Sequence, residues 1–303
     1  MSIVILHHDL EPTEKRLEEL FKDREIDVNM FDVRDVDISD FVDADLVLNR
    51  VYASVANRDY ASIDRTLNLI QKLEEQGLNC LNSYMTSLFD YNKFESYIAM
   101  KNSGIKTPKT RFVKNQTNIS DLFEDISYEF TFPIIIKRNT GGRGKDISKV
   151  FSRDEFFEDL DKKFNLAYQE KYMGDFIIQE FINSSRDYDC RIGIIDGEFV
   201  FSYKRSLISK KEGEIPWLAS VSNGSIEGEY EAQEKEIILA LNATKSIGAR
   251  FNELDVMFTE NGPCIIENNP TPNYITTEIE DQKRMELFID IIKNSLNPKK
   301  NEE

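Results

Sequence analysis

The stretch 252–272 constrains the fold of this chain most, because it predicts a β-hairpin with polar side chains on one face. Two apolar runs flank a Glu-Asn-Gly sequence, which is typical of a tight turn between strands. If the turn centres on Asn261, Asp255 lies directly opposite Glu267. Side chains alternate along a strand, so Glu267 also shares its face with Asn269.

These three polar residues are candidate metal ligands. Asp255, Glu267 and Asn269 would bring hard oxygen atoms to one side of a single hairpin. Mg²⁺ prefers such ligands and usually binds through one or two carboxylates together with phosphate oxygens. The alternative is a solvent-exposed hairpin face with ordinary acidic residues. A register shift of one residue would remove Asp255 from the set.

The composition indicates a globular protein. The chain has 303 residues, of which 40% are hydrophobic and 11% aromatic, so it can form two or three domains with their own cores. No apolar run reaches the roughly 18 residues of a membrane span. The N-terminus lacks the basic start of a secretory signal. We therefore expect no membrane partner.

Charge and cysteine content narrow the class further. The formal net charge of −17 argues against nucleic-acid binding, which needs basic patches. Cys80, Cys190 and Cys264 are odd in number and widely spaced. They predict buried thiols in a reducing compartment, and hence a cytoplasmic location.

The first 88 residues alternate short apolar strands with amphipathic helices. This βαβ rhythm predicts a small parallel sheet. The block has no GxGxxG sequence, so a dinucleotide site is not supported. A helix predicted over 90–102 follows, and Gly104 and Pro108 end it.

The stretch 132–146 predicts a second polar site. An apolar strand delivers Lys137 at its end, and a turn with Gly141, Gly142 and Gly144 follows. Glycines let backbone N–H groups approach phosphate oxygens closely. The spacing and the residue after the loop's last lysine do not fit a P-loop. By itself such a loop is more often an ordinary hairpin turn.

A third stretch combines a linker with a charged hairpin. An apolar strand runs into residues 180–182, whose backbone could pair with an adenine edge. Asp189 and Arg191 share a face of the next strand. A two-residue turn would set Asp189 opposite Lys204, and a three-residue turn would set it opposite Arg205; the sequence allows both. The alternative to a functional site is a common cross-strand ion pair.

Taken together and in this order, these motifs resemble the ATP-grasp superfamily, and within it the RimK-like carboxylate–amine ligases. The resemblance covers nearly the whole chain. Its elements are a lysine on an early helix, Pro-x-x-x-Lys, the glycine loop, Gln-Glu-Phe-Ile, Asp-x-Arg, an aspartate and Glu-x-Asn. They stand here at Lys93, 133–137, 141–144, 179–182, 189–191, Asp255 and 267–269.

The resemblance implies an α/β fold with an α+β core. An N-terminal Rossmann-like pre-ATP-grasp domain would cover residues 1–88, and a two-lobed ATP-grasp domain would cover 89–303. Within the second domain, residues 111–180 would form a mobile lid and residues 181–296 the C-terminal core. ATP would lie between the lid and the core.

The resemblance also implies a role for each motif residue. The phosphates of ATP would be held by Lys93, Lys137, Gly141, Gly142 and Gly144. The adenine would be surrounded by Gln179, Glu180, Phe181 and Ile182, and the ribose would meet Asp189. Mg²⁺, as two ions with Mn²⁺ as a substitute, would be bound by Asp255, Glu267 and Asn269. Arg191 and Arg205 would be catalytic, because cations stabilise the charge that develops in phosphoryl transfer.

The implied reaction is amide-bond formation. A carboxylate would take the γ-phosphoryl group of ATP to give an acyl phosphate, and an amine would then displace phosphate. Small-molecule or peptide carboxylates and amines are the implied substrates, and a homo-oligomer is left open. Two other readings stay open: a graspetide-type peptide macrocyclase, and an ATP-binding module without catalysis.

Two departures from the family pattern concern the substrate side. Related enzymes carry arginine and asparagine in a segment that here spans 217–225 and has no basic residue. Lys210 and Lys211 are the candidate substitutes. The closing motif runs from Asn269 through Pro-Thr-Pro to Asn273 instead of Asn-x-Ser-Pro-Gly. We expect acceptor recognition to differ accordingly.

Five further polar residues have simpler expectations. His7 and His8 are adjacent at a strand end and point to opposite faces, so a surface role or a loose substrate contact is expected before metal binding. Arg50 could bind a substrate carboxylate or cap an interface within the protein. Lys114 and Arg138 are expected on a solvent-exposed face.

Overall fold

The computed structural model describes residues 2–210, 213–272 and 279–295, with side chains at 279–283 and 285 excluded. Lys211, Asn273 and the predicted end of the C-terminal core at residue 296 lie outside the described residues. The strands are β1 (Ser2–His7), β2 (Asp27–Asp32), β3 (Leu46–Asn49), β4 (Asn79–Leu81), β5 (Thr110–Val113), β6 (Ile134–Arg138), β7 (Ser148–Val150), β8 (Phe176–Glu180), β9 (Tyr188–Ile195), β10 (Glu198–Ser206), β11 (Glu227–Glu229), β12 (Phe251–Thr259) and β13 (Gly262–Asn269). The helices are α1 (Pro12–Lys22), α2 (Tyr60–Glu75), α3 (Tyr84–Tyr91), α4 (Lys93–Asn102), α5 (Ile119–Ser127), α6 (Arg153–Gln169), α7 (Glu234–Ser246) and α8 (Ile279–Ser295).

The N-terminal sheet has four parallel strands in the order β2-β1-β3-β4. The βαβ rhythm of the sequence predicted this parallel sheet, and the prediction is confirmed. Strand β3 is buried at every position, as expected for a strand that is covered on both faces. Leu17 and Phe21 of α1 pack on one side together with α8, while Ile63 and Ile70 of α2 join the other core.

The second sheet carries the predicted phosphate residues. Its four strands are antiparallel, in the order β5-β8-β6-β7, and α5 and α6 cover one face. Three aromatic or aliphatic side chains of α6, Phe156, Leu160 and Phe164, form this core. The sheet therefore positions β6, whose C-terminal end bears Lys137.

The third sheet has five antiparallel strands in the order β11-β10-β9-β12-β13. On one face Ile192 and Leu254 pack against Ala240 of α7, and on the other Phe251 packs against Phe288 of α8 with ring centroids 4.2 Å apart. Side chains alternate along each strand, so the residues next to Ile192 and Leu254 point away from α7. On that opposite face the polar residues of β9, β12 and β13 line a common cavity.

Both hairpins of this sheet have two-residue turns and a one-residue register shift. In β12–β13 the turn is closed by Thr259 opposite Gly262, so it does not centre on Asn261. The register shifts directly after Asp255, as in a β-bulge, and this restores Asp255 opposite Glu267. The predicted pairing is confirmed, but the turn geometry from which it was predicted is wrong.

The β9–β10 hairpin also has a two-residue turn and a one-residue register shift. Ile195 pairs with Glu198 across a two-residue turn, and the register shifts between Phe199 and Phe201. Asp189 consequently lies opposite Arg205, which the sequence had linked to a three-residue turn. The residue facing Phe201 is a glycine, Gly193, where a Cβ atom would lie 2.2 Å from the Phe201 ring.

The helix predicted over 90–102 is two helices. Helix α3 ends at Tyr91, and Asn92 takes an extended conformation (φ −129°, ψ 96°) before α4 begins. The Asn92 side chain accepts a hydrogen bond from the backbone N–H of Glu95 at 3.0 Å, which caps α4. Lys93 is therefore the first residue of a helix, beside its positively polarised end.

Candidate functional site

One cavity of about 340 Å³ lies between the second and third sheets and the loops after β3. Every residue that the sequence analysis assigned to phosphate, adenine, ribose, metal or catalysis lines it. These are Lys93, Lys137, Gly141, Gly142, Gly144, Gln179, Glu180, Phe181, Ile182, Asp189, Arg191, Arg205, Asp255, Glu267 and Asn269. The structure thus brings the motifs together, while the individual roles stay predictions.

Two lysines converge on one carboxylate in this cavity. Lys93 Nζ lies 3.2 Å from Glu267 Oε1, and Lys137 Nζ lies 3.9 Å from Glu267 Oε2. Burial lowers the pKa of Lys137, and the nearby Glu267 works against that shift. Two cations share one anion, so the local charge favours a further anionic ligand.

The glycine loop is held against the segment after β3. Asn57 Nδ2 donates to the Gly142 carbonyl at 3.1 Å, and a Cβ atom at Gly141 would lie 2.7 Å from Asn57 Oδ1. Gly141 also has φ 139°, which residues with side chains rarely adopt. Lys93 Nζ donates to the Gly141 carbonyl at 2.6 Å. These contacts require glycine at Gly141 and position the loop over the two lysines.

The other end of the cavity is an arginine–carboxylate network. Arg191 Nε donates to Asp255 Oδ1 at 2.8 Å, and Arg205 NH2 lies 2.9 Å from Asp255 Oδ2. Arg205 also binds Asp189 through two hydrogen bonds of 3.0 and 2.5 Å. Burial opposes the charge of Asp255, but the two guanidinium groups outweigh it and hold the pKa of this carboxyl at about 2.

The three predicted metal ligands occupy one edge of this network. Arg191, Asp255 and Glu267 stand in a row across β9, β12 and β13, and Asn269 follows two residues after Glu267. Asn269 Nδ2 donates to the Glu253 carbonyl at 3.0 Å, which fixes the amide. The set of two carboxylates and one amide fits Mg²⁺, which completes its shell with phosphate oxygens and water. Among the described residues, no group of three or more His, Cys, Asp or Glu side chains forms a metal site.

An apolar slot adjoins the linker 180–182. Its walls include Ile135, Phe181, Met257 and Trp217. Lys149 Nζ lies 4.0 Å from the centre of the Phe181 ring. An apolar slot beside the linker backbone suits an aromatic base.

A set of buried contacts from the N-terminal third holds the segment after β13, and sequence reasoning missed it. Asn82 Nδ2 donates to the Pro270 carbonyl at 2.8 Å, and Thr271 Oγ1 donates to Asp90 Oδ2 at 2.8 Å. Arg50 NH1 donates to the Pro272 carbonyl at 2.8 Å. Each contact joins residues about 180 or more positions apart, so no local pattern could have revealed it. Burial raises the pKa of Asp90 to about 7, against the hydrogen bond from Thr271.

The structure confirms some of the simpler expectations and contradicts others. Arg50 caps an internal interface: it is 1% exposed and its Nε donates to Glu14 at 3.0 Å. Lys114 is exposed, as predicted. The surface prediction for His7 and His8 is wrong, since both are buried.

The expectation for Arg138 is also wrong. The side chain is 3% exposed, and its NH2 lies 2.5 Å from Asp146 and 2.7 Å from Glu170. Its guanidinium stacks 4.1 Å from the centre of the Tyr172 ring. The strand β6 is buried on both faces, so the alternation that was expected to expose Arg138 does not apply. Lys210, a candidate substrate residue, instead donates to the Ile147 carbonyl at 2.8 Å.

Comparison with known proteins identifies the family of the chain. The model of the RimK-like ATP-grasp domain matches residues 90–294. A probable alpha-L-glutamate ligase of Legionella pneumophila is 26% identical over 228 residues, which are 75% of this chain and 68% of the relative. A corresponding protein of Vibrio parahaemolyticus is 24% identical over 85% of this chain and 79% of the relative.

Solved structures show the same fold. D-alanine–D-alanine ligase from Bacillus anthracis superposes with a TM-score of 0.70 at 17% identity, covering 100% of this chain and 99% of that one. A RimK domain protein from Sphaerobacter thermophilus gives a TM-score of 0.64 at 16% identity, covering 90% and 92%. In the part of the chain that the structure describes, no helix is long and apolar enough to cross a membrane. The chain belongs to the RimK-like ATP-grasp family of ATP-dependent carboxylate–amine ligases.

Proposed function

We propose that this chain joins a carboxylate to an amine through an acyl phosphate, using the cavity between the second and third sheets. The observation that carries the proposal is the division of that cavity into a lysine end and an arginine–carboxylate end. Lys93 and Lys137 share Glu267, while Arg191 and Arg205 share Asp255. Phosphoryl transfer needs this distribution, because it brings anions together and develops further negative charge.

In this proposal the lysine end binds the phosphates of ATP. Lys93 adds the charge of its side chain to the N-terminal end of α4, and the glycine loop supplies backbone N–H groups. The adenine occupies the apolar slot, against Gln179, Glu180, Phe181 and Ile182. Asp189 meets the ribose; although Arg205 already binds both of its oxygens, a carboxylate has further acceptor capacity.

Asp255, Glu267 and Asn269 would hold Mg²⁺, as two ions or with Mn²⁺ in their place. Bound Mg²⁺ neutralises phosphoryl oxygens during transfer. The protein's own part is to keep Asp255 ionised, and the low pKa of this carboxyl supports that. The buried segment 270–272 directly follows Asn269 and is held by hydrogen bonds to Asn82 and Asp90, which would keep Asn269 in position.

The arginines would act on the reacting groups. A carboxylate oxygen of the acid attacks the γ-phosphorus, the bond to the β–γ bridging oxygen breaks, and ADP leaves. Arg191 and Arg205 stabilise the charge on the transferred group and then on the tetrahedral adduct of acyl phosphate and amine. Phosphate departs with the electron pair of the broken carbon–oxygen bond and takes up the proton that the amine nitrogen loses, and the amide remains. Closure of the lid would exclude water from the acyl phosphate.

We further propose that residues 1–88 are a Rossmann-like pre-ATP-grasp domain, with the lid at 111–180 and the core at 181–296. The three buried, unpaired cysteines support a cytoplasmic location. Because sequence relatives are probable alpha-L-glutamate ligases, glutamate and glutamyl peptides are the first substrates to test. Membrane and nucleic-acid partners are not part of the proposal, and a homo-oligomer is compatible with it.

A phosphate-release screen tests the proposal. The protein is incubated with ATP and Mg²⁺ against a panel of amino acids, peptides and dicarboxylates, with and without amines. We expect release that depends on both one acid and one amine, with ADP as the nucleotide product. A protein that binds ATP but releases no phosphate with any pair would instead be a binding module.

A further inference from the structure

We propose that one substrate of this site is an extended polypeptide segment with apolar and basic side chains, which lies along the outer surface of residues 213–229. We call this surface the rim. The inference rests on the proposed function and names the class of one of its substrates. It is carried by the exposure, the charge and the position of the rim relative to the cavity.

The rim is continuous with the cavity. Leu218 pairs with Ile208, and the Ser206 N–H donates to the Ile226 carbonyl at 2.9 Å, so the segment lies alongside the end of β10. Residues 217–222 line the cavity itself. A chain that lies on the rim can therefore reach the arginine–carboxylate network with one side chain or one terminus.

The rim exposes large apolar side chains. Ile215 is 78% exposed, Val221 is 52% exposed and Ile226 is 75% exposed. Neighbouring Trp217 and Leu218 turn inward and are only 6% and 8% exposed. The outward residues are thus not required by the core, and three of them within twelve positions beside a cavity indicate a binding surface.

The charge of the rim favours a basic partner. Glu227 and Glu229 are exposed on β11, and Glu231 is exposed just after it. Strand β11 is an edge of the five-stranded sheet, and edge strands can pair with an extended peptide. The acidic chain as a whole, at −17, also attracts a basic partner during encounter.

The cavity wall beneath the rim suits a peptide better than a second free acid. Residues 52–54 and 219–222 contribute hydroxyl groups, small side chains and backbone, and none of these positions is charged. Such a wall can hydrogen-bond peptide groups. Two cations of the neighbouring glycine loop, Arg143 and Lys145, also line the cavity, but they are already paired with Glu11 at 2.6 Å and with Glu170 at 2.8 Å. This agrees with the absence of basic residues from the segment 217–225.

Peptide binding without turnover tests the inference. The probe is a fluorescein-labelled ten-residue peptide of alternating lysine and leucine with one central glutamate, followed by anisotropy. The double variant Glu227→Lys/Glu229→Lys and the variant Ile226→Lys should each weaken binding at least tenfold. The double variant Glu124→Lys/Glu158→Lys has the same charge change on exposed positions of α5 and α6, and its affinity should stay within about twofold. A wild type that does not bind the peptide, or equal losses in the control, would overturn the proposal.

The outcomes separate this inference from the proposed function. Turnover with a small acid but no peptide binding would leave the ligase proposal standing and remove the rim. Peptide binding without any phosphate release would support the rim and count against the ligase proposal. If sedimentation shows that Ile226→Lys dissociates a dimer while peptide affinity is unchanged, the rim is a contact between two copies of the chain and the inference is wrong.

Discussion

Arg191 and Asp255 form a two-point ion pair, with Nε–Oδ1 at 2.8 Å and NH2–Oδ2 at 3.2 Å. Arg205 binds the same carboxylate at 2.9 Å from β10, which neighbours the strand that carries Arg191. Glu267, directly opposite Asp255, is 27% exposed, and within the described ranges its ion-pair partners are Lys93 and Lys137. The two acids therefore differ as experimental targets, although both are proposed metal ligands.

We expect Glu267→Gln to reduce turnover at least ~100-fold, about 3 kcal/mol of transition-state stabilisation, with a smaller loss of stability than Asp255→Asn causes. The reason is that one charge of the metal and lysine cluster is lost and no buried ion pair with an arginine is broken. The measurement is ADP formation at saturating Mg²⁺. Asp196→Asn is the matched control, because Asp196 pairs with Arg250 at an exposed turn. A Glu267→Gln enzyme as active as the control would end the magnesium assignment.

Asp255→Asn should abolish turnover too, but with a structural cost. Removing one partner of a buried ion pair costs about 3–5 kcal/mol, because two guanidinium groups lose their counter-charge. Urea denaturation should therefore show a lower free energy of unfolding for Asp255→Asn than for Glu267→Gln. Equal stabilities would mean that the arginine network contributes nothing to the fold.

Lys93→Met and Lys137→Met should each weaken binding of a non-hydrolysable ATP analogue by ~10- to 100-fold. Each removes a charge-assisted contact worth about 1.5–3 kcal/mol. Lys101→Met is the control, since Lys101 is exposed at the far end of α4. Arg138→Ala is unsuitable as a control, because Arg138 is buried in ion pairs with Asp146 and Glu170. Calorimetry that gives the same affinity for all three methionine variants would exclude the phosphate role.

Thr271→Val should raise the Mg²⁺ concentration needed for half-maximal rate and lower stability by about 1–3 kcal/mol. The variant leaves Asp90 without the hydrogen bond that anchors the segment after Asn269. Thr271→Ser keeps the hydroxyl group and should restore the Mg²⁺ dependence. A Thr271→Val enzyme with wild-type Mg²⁺ dependence would show that Asn269 needs no support from this segment.

Asp90 predicts a specific pH dependence of stability. Burial raises its folded pKa to about 7 from the ordinary 3.8, so between these values the folded protein holds a proton that the unfolded chain has lost. The free energy of unfolding then falls as pH rises, by up to about 1.4 kcal/mol per unit from this group. Asp90→Asn cannot titrate and keeps an acceptor for Thr271. From pH 5 to pH 7 the wild type should lose on the order of 2 kcal/mol relative to the variant in urea titrations, and parallel curves would contradict this.

The sequence predicted which residues form the site more accurately than it predicted the strand register that brings them together. Alternation along one strand brought Glu267 and Asn269 to the same face, and the assumed turn set Asp255 opposite Glu267. The register shift after Asp255 could not be predicted, because a β-bulge depends on contacts across strands rather than on local sequence. The turn argument reached the right pairing only because its one-residue error was offset by that shift.

Long-range contacts are the second feature of the structure that the sequence did not predict. Arg50 and Asn82 look like ordinary polar residues at strand ends, yet they bond to carbonyl groups more than 180 positions later. Arg138 follows Lys137 on a strand that is buried on both faces, where alternation no longer separates core from surface. The contacts of such residues are evident only in the packed structure.

Transfer of oxygen isotope tests the central claim most directly. The acid found in the phosphate-release screen is labelled with ¹⁸O in its carboxylate and incubated with ATP, Mg²⁺ and the amine. An acyl phosphate requires that one carboxylate oxygen leaves with phosphorus, so the released phosphate should carry one ¹⁸O atom and the nucleotide product should be ADP. Unlabelled phosphate, or AMP in place of ADP, would contradict the account.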